Sequence, residues 1–125
     1  MRMLGRLFML CFMAAMPISA FVQGSDSEDM EAAQKIHKKE CQKCHGKGGQ
    51  GDGPSSKMLK VKPANWTDVK RMSALSDEDL FKVVQAGGEG VGLSKLMPAF
   101  HNKLSDEEIA QLVTFIKSLR GEAKR

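Results

Sequence analysis

Cys41-Gln42-Lys43-Cys44-His45 sets two thiols two residues apart, with an imidazole directly after the second. In a helically coiled segment, sulfurs at this spacing reach the two vinyl groups of one porphyrin, and each thiol adds across a vinyl to leave a thioether. The histidine next to Cys44 then falls under the iron as its proximal ligand. The motif therefore predicts one covalent haem c, held through Cys41 and Cys44. Cysteine usage agrees. Of the three cysteines, Cys11 lies in an N-terminal apolar segment, so none is left over for a separate disulfide. Two other chemistries use paired cysteines. A zinc site would need two further ligands, to be found among His37, His45 and His101. A dithiol redox motif would want a preceding strand and alternating strands and helices, which the sequence does not show.

The iron needs a sixth ligand. Beyond residue 24 the chain has four methionines: Met30, Met58, Met72 and Met97. Met30 falls on a helical pattern and Met72 just before another, positions that suit packing. Met97 lies in an irregular stretch and is followed by Pro98, which biases it towards an extended backbone and a fixed direction. A thioether is a soft ligand that favours Fe(II), so His45/Met97 ligation would raise the reduction potential. Met58, following a glycine-rich loop, is the alternative. His101 reads as the exposed end of a loop, and His37 as a helix-face residue.

Three helices must position these groups. The first runs from about Ser27 through residues 28–43 and delivers both cysteines. Met30, Ala33, Ile36 and His37 recur along one of its faces, and Ser25 and Glu28 have capping-box spacing. The second starts at Ser76, with Asp77, Glu78 and Asp79 at the positive end of the helix dipole. It carries Leu80, Phe81, Val83 and Val84 and stops at Gly87-Gly88. The third starts at Ser105, with Glu108 completing a capping box, and places Ile109, Leu112, Val113, Ile116 and Leu119 on one stripe before Gly121. Five glycines lie in the nine residues 46–54, and four more between Gly87 and Gly92. Such loops weaken an ordinary fold through backbone entropy, but they allow close approach to a flat cofactor. Three modest helices make a thin core, so the chain without haem is expected to fold poorly.

Arg2 and Arg6 precede a ten-residue apolar run, Leu7 to Met16, and Pro17, Ser19 and Ala20 follow it. This pattern predicts a signal peptide over residues 1–24, cleaved after Ala20 or Gly24, because the apolar stretch is short of the about 20 residues a membrane span needs. Residues 25–125 then form one domain in the periplasm, without stable membrane insertion. Only two of the 19 Lys and Arg, and none of the 15 Asp and Glu, fall in the predicted signal. The remaining charge is small, aromatic and basic residues are not interleaved, and nucleic acid is not an expected partner.

With both ligand motifs in view, residues 28–120 resemble the class I, monohaem bacterial c-type cytochromes. The specific matches are Cys41 to Gly46, Gly51-Asp52-Gly53-Pro54, Met97-Pro98-Ala99-Phe100 and Leu104 to Ile109. The resemblance implies an all-α, small single-domain cytochrome c fold, in which three main helices and glycine-rich loops wrap one covalent haem. Its first and last helices cross near a right angle, for which small Ala32 and Ala33 and aromatic Phe115 are suited. It further implies that the Pro54 carbonyl accepts a hydrogen bond from the His45 ring. Trp66, in Pro63 to Asp68, either donates to a haem propionate or packs on the porphyrin. A longer mid-chain region found in the mitochondrial type is missing.

The function implied is electron transfer by a monomeric carrier rather than enzymatic catalysis, with membrane or periplasmic redox proteins as donor and acceptor. Lys35, Lys38, Lys39, Lys43 and Lys47 cluster near the attachment motif and would steer docking onto an acidic face, although Glu31 and Glu40 are interleaved. Two alternatives stand beside it: an electron-entry subunit of a larger oxidoreductase, and a ligand-binding haem enzyme or sensor with a labile sixth position.

Overall fold

The computed structural model describes residues 26–121, whose regular structure is entirely helical. The expected signal over residues 1–24 and the capping residue Ser25 lie outside the described residues. The chain runs through α1 (Asp26–Ile36), a π turn (His37–Cys41), α2 (Gln42–His45), a 3-10 turn (Pro54–Met58), α3 (Val69–Ser73), α4 (Asp77–Gly90) and α5 (Asp106–Ser118). The expected first helix is thus α1, the π turn and α2 in unbroken succession.

Local chemistry sets the helix starts. Ser76 Oγ accepts the Asp79 amide at 3.1 Å, and the Asp79 carboxylate accepts the Ser76 amide at 2.9 Å. Ser105 and Glu108 repeat the exchange at 3.2 and 2.8 Å. Each box satisfies amides that the first helical turn leaves without partners. The short α3 is capped by Asp68, whose side chain accepts from the Arg71 amide at 3.0 Å. The expected stop of α4 is also present: Gly87 leaves helical geometry at φ 72° and ψ 173°, and a second short turn continues to Gly90.

Helix α5 is the element on which the others pack, with α1 and α4 both laid against it. Ile109, Leu112, Val113 and Ile116 are buried along its inner stripe, and Ala33 of α1 is fully buried opposite. A small residue there lets two backbones approach closely. Gln111 Nε2 donates to Asp29 Oδ1 at 2.9 Å across the same contact, and Lys117 pairs with Asp77 between α5 and α4. Met72 is buried in the core and Met30 packs against its edge, as expected of packing methionines.

Candidate haem site

The π turn ends on Cys41, the first residue of the Cys41 to His45 motif. The Gln42 amide donates to the His37 carbonyl, a bond spanning five residues instead of four. This wide turn changes the angular advance of the helix, so α2 starts from a direction that α1 alone would not give it. Cys41 and His45 then face a narrow cleft of about 40 Å³, whose lining includes Glu40, Trp66, Met97 and Phe100. Cys44 is half-buried on α2, outside the lining set, and neither cysteine is in a disulfide.

The opposite wall comes from far along the chain. Leu112 and Ile116 of α5 and Val84 of α4 are apolar, and Met97 and Pro98 enter from the loop after α4. That loop hangs on the end of α4 by backbone hydrogen bonds: Gly88 N–H to the Met97 carbonyl at 3.0 Å, Phe100 N–H to Val84 at 3.1 Å and His101 N–H to Gln85 at 3.2 Å. Met58 is 81% exposed and lines no part of the cleft. His101 is exposed as expected, with Nδ1 at 3.1 Å from the Gln85 carbonyl.

The electrostatics suit the chemistry. Burial pushes the Cys41 thiol up to about 12, with the Glu40 and Cys44 charges adding to the shift. Cys41 therefore keeps its proton at neutral pH in this fold. Burial brings His45 down to about 4, against an opposing backbone hydrogen bond at Ala64 and with His37 assisting. The His45 imidazole is neutral at pH 7 and has a lone pair for a metal. Among the described residues no three His, Cys, Asp or Glu side chains gather as a metal cluster. One imidazole, one thioether and the Cys41 thiol at an apolar cleft, with the free Cys44 thiol on the adjoining α2, fit a haem c.

The family model of cytochrome C oxidase, cbb3-type, subunit III matches residues 28–116. The chain belongs to this cytochrome c family. It is a monohaem c-type cytochrome, and the family marks it as a haem electron carrier rather than an enzyme. No curated protein matches it. A chain of the Kuenenia stuttgartiensis reducing HAO-like protein complex Kustc0457/Kustc0458 is similar, with a TM-score of 0.61 and 32% identity over 74% of this chain. The cytochrome spans only 44% of that chain's length. The KustC0563 c-type cytochrome shares the fold, with a TM-score of 0.57 and 24% identity over 70% of this chain and 96% of its own.

Four residues singled out in the sequence have the following surroundings in the cytochrome. His45 Nδ1 faces the Ala64 carbonyl at 3.4 Å, where the resemblance put that of Pro54. Pro54 instead opens the 3-10 turn. Trp66 is buried with its ring stacked on His45, centroids 4.2 Å apart and planes 16° apart, and its amide donates to the Gly49 carbonyl at 2.7 Å. His37, on the helix face that its spacing predicted, is buried. It is 3% exposed, wedged between the rings of Trp66 and Phe115 at 5.7 and 5.1 Å, and its Nε2 has no partner. The signal for that burial was present, because His37 follows the buried Ala33 by one helical turn.

Two glycines of this cytochrome allow the chain to approach itself. A Cβ on Gly53 would stand 2.5 Å from the Lys43 carbonyl oxygen and 2.6 Å from that of Gln42, against the back of α2. A Cβ on Gly87 would stand 2.6 Å from the Ala99 amide nitrogen and 2.9 Å from the Met97 carbonyl oxygen. Gly87 also has a positive φ of 72°, a region that side chains rarely enter. Gly87→Ala is therefore expected to push the Met97 loop off α4. The expected results are a loss of about 1–3 kcal/mol of stability and partial carbon monoxide binding by the reduced protein. Parent-like melting and no carbon monoxide binding would show that the loop tolerates the shift.

Proposed function

We propose that the protein is exported through residues 1–24 and works in the periplasm as a one-electron carrier. The haem would be fixed by thioethers to Cys41 and Cys44, with His45 and Met97 as axial ligands. The observation that carries this reading is the meeting of Cys41, His45 and Met97 in one apolar cleft, although 52 residues separate the last two. When bound, the haem supplies Fe(III)/Fe(II) exchange. The residues around it hold, orient and shield it. Trp66 fixes the plane of the His45 ring, the Ala64 carbonyl engages its second nitrogen, and Val84, Leu112 and Ile116 exclude water. Among the described residues no helix is long and apolar enough to cross a membrane, and this agrees with an exported carrier.

The deciding experiment expresses the full chain with a periplasmic haem-maturation system and records spectra of both oxidation states with and without carbon monoxide. A covalent, low-spin haem indifferent to carbon monoxide is the expected result. A spectrum that shifts with the gas would put an open-site enzyme or sensor first, and a chain without covalent haem would remove the reading.

Redox proteins are the proposed donor and acceptor. Lys38, Lys39, Lys43 and Lys47 are exposed on the π turn, α2 and the loop that follows, where they would steer an acidic partner. Charge reversal of Lys39 and Lys43 together is expected to slow electron transfer to such a partner several-fold at low salt, with the difference vanishing as salt rises. An unchanged low-salt rate would remove the docking role. The likeness to a chain of a reducing HAO-like complex favours a second reading, an electron-entry subunit, which co-purification would distinguish from a free carrier.

A further inference from the structure

We propose that Glu40 is a potential-setting residue, a carboxylate at the wall of the haem cleft whose charge holds the reduction potential down and is partly offset by Lys103. This inference rests on the haem reading above.

Glu40 directly precedes Cys41 and lines the cleft that Cys41, His45 and Met97 share. Its side chain is 20% exposed, in contrast to the 67% of Glu31 further up the same helical run. Glu31 faces water, whereas Glu40 is half withdrawn beside an apolar wall. There its field is weakly screened. Glu40 also borders an outer groove with Ile36, Lys39, Lys103, Leu104 and Glu108, so it stands between cleft and solvent.

Two cations share this carboxylate. Lys39 Nζ lies 3.6 Å from one oxygen and Lys103 Nζ 3.7 Å from the other. Lys39 is 82% exposed and contributes little. Lys103 is better placed. Its ammonium also lies 5.7 Å over the ring of Phe100, a buried residue of the cleft wall. The Glu40–Lys103 pair thus joins the attachment segment to the loop that carries Met97, at the edge of the cofactor's cleft.

The sign follows from charge alone. A carboxylate near the iron stabilises the ferric state, which carries one more positive charge than the ferrous state, and so lowers the potential. An ammonium does the opposite. Glu40→Gln keeps the shape and removes the charge, and Lys103→Gln removes the counter-charge.

The test is spectroelectrochemical titration of the holoprotein and of Glu40→Gln, Lys103→Gln and the double variant, with Glu31→Gln as a solvent-exposed control. Glu40→Gln is expected to raise the Fe(II)/Fe(III) ratio at fixed potential at least threefold, an upward shift of about 28 mV given 59 mV per decade for one electron. Lys103→Gln should shift the midpoint downward, the double variant should return towards the parent, and Glu31→Gln should not move it. A merely structural clamp would move both single variants the same way. That result, or unchanged midpoints with intact low-spin spectra, overturns the proposal. Loss of the low-spin spectrum from the parent protein itself would instead count against the haem reading.

Discussion

Met97→Ala should make the reduced protein bind carbon monoxide and should lower its midpoint potential. The backbone of this loop is held independently of the methionine side chain, by the bonds of Gly88 to Met97, Phe100 to Val84 and His101 to Gln85. Truncation would therefore remove the proposed ligand without releasing the loop. Because a thioether favours Fe(II), its loss should lower the potential by roughly 0.1–0.3 V, a fraction of the about 0.8 V that axial ligands span. Met58→Ala, at an 81% exposed position, should change neither spectrum nor potential. If Met58→Ala opened the iron and Met97→Ala did not, the ligand assignment would be reversed.

Replacing Cys41 and Cys44 together by alanine should abolish covalent haem and much of the cooperative fold. The buried stripe of α5 faces only one other long helix on each side, and its Leu112 and Ile116 border the cleft. Those walls would lose the porphyrin they border, and a chain of this size has little surplus stability. The loss should be at least on the order of 4 kcal/mol, the contribution of a ligand at a thousand times its dissociation constant. Denaturing electrophoresis with haem staining and thermal unfolding by circular dichroism would measure both effects. A haem-free double variant that melts like the parent would show that the helices support themselves. Cys44→Ala alone should retain haem through Cys41, in lower yield.

The segments that bring Cys41, His45 and Met97 to one cleft were legible because they are written in short, local patterns. The spacing of Cys41, Cys44 and His45, the proline after Met97, and the Ser105/Glu108 box each need only neighbouring residues to be read. The Ser76 start and the Gly87 stop of α4 are local for the same reason. The features that were not legible depend on tertiary contact. A π turn has no composition of its own, and the rings that enclose His37, those of Trp66 and Phe115, come from elsewhere in the chain. Helix α3, five residues long, is too short for periodicity to show, although Asp68 carried a cap signal. The partner of the His45 ring was placed at Pro54 by analogy, and in this chain the Ala64 segment reaches it. The glycines were read as making room for porphyrin. Gly53 and Gly87 make room for other backbone, which no count of glycines reveals.

The pairing of α1 with α5 also bears on timing. The bond from Gln111 to Asp29 joins residues 82 positions apart, and Leu112 and Ile116 share the cleft with Cys41. A chain that emerges N-terminus first therefore presents both cysteines on an uncovered helix until residues 106–118 arrive. Ligation machinery would have that interval to reach the two sulfurs, and arrival of the last helix would then close over the finished bond.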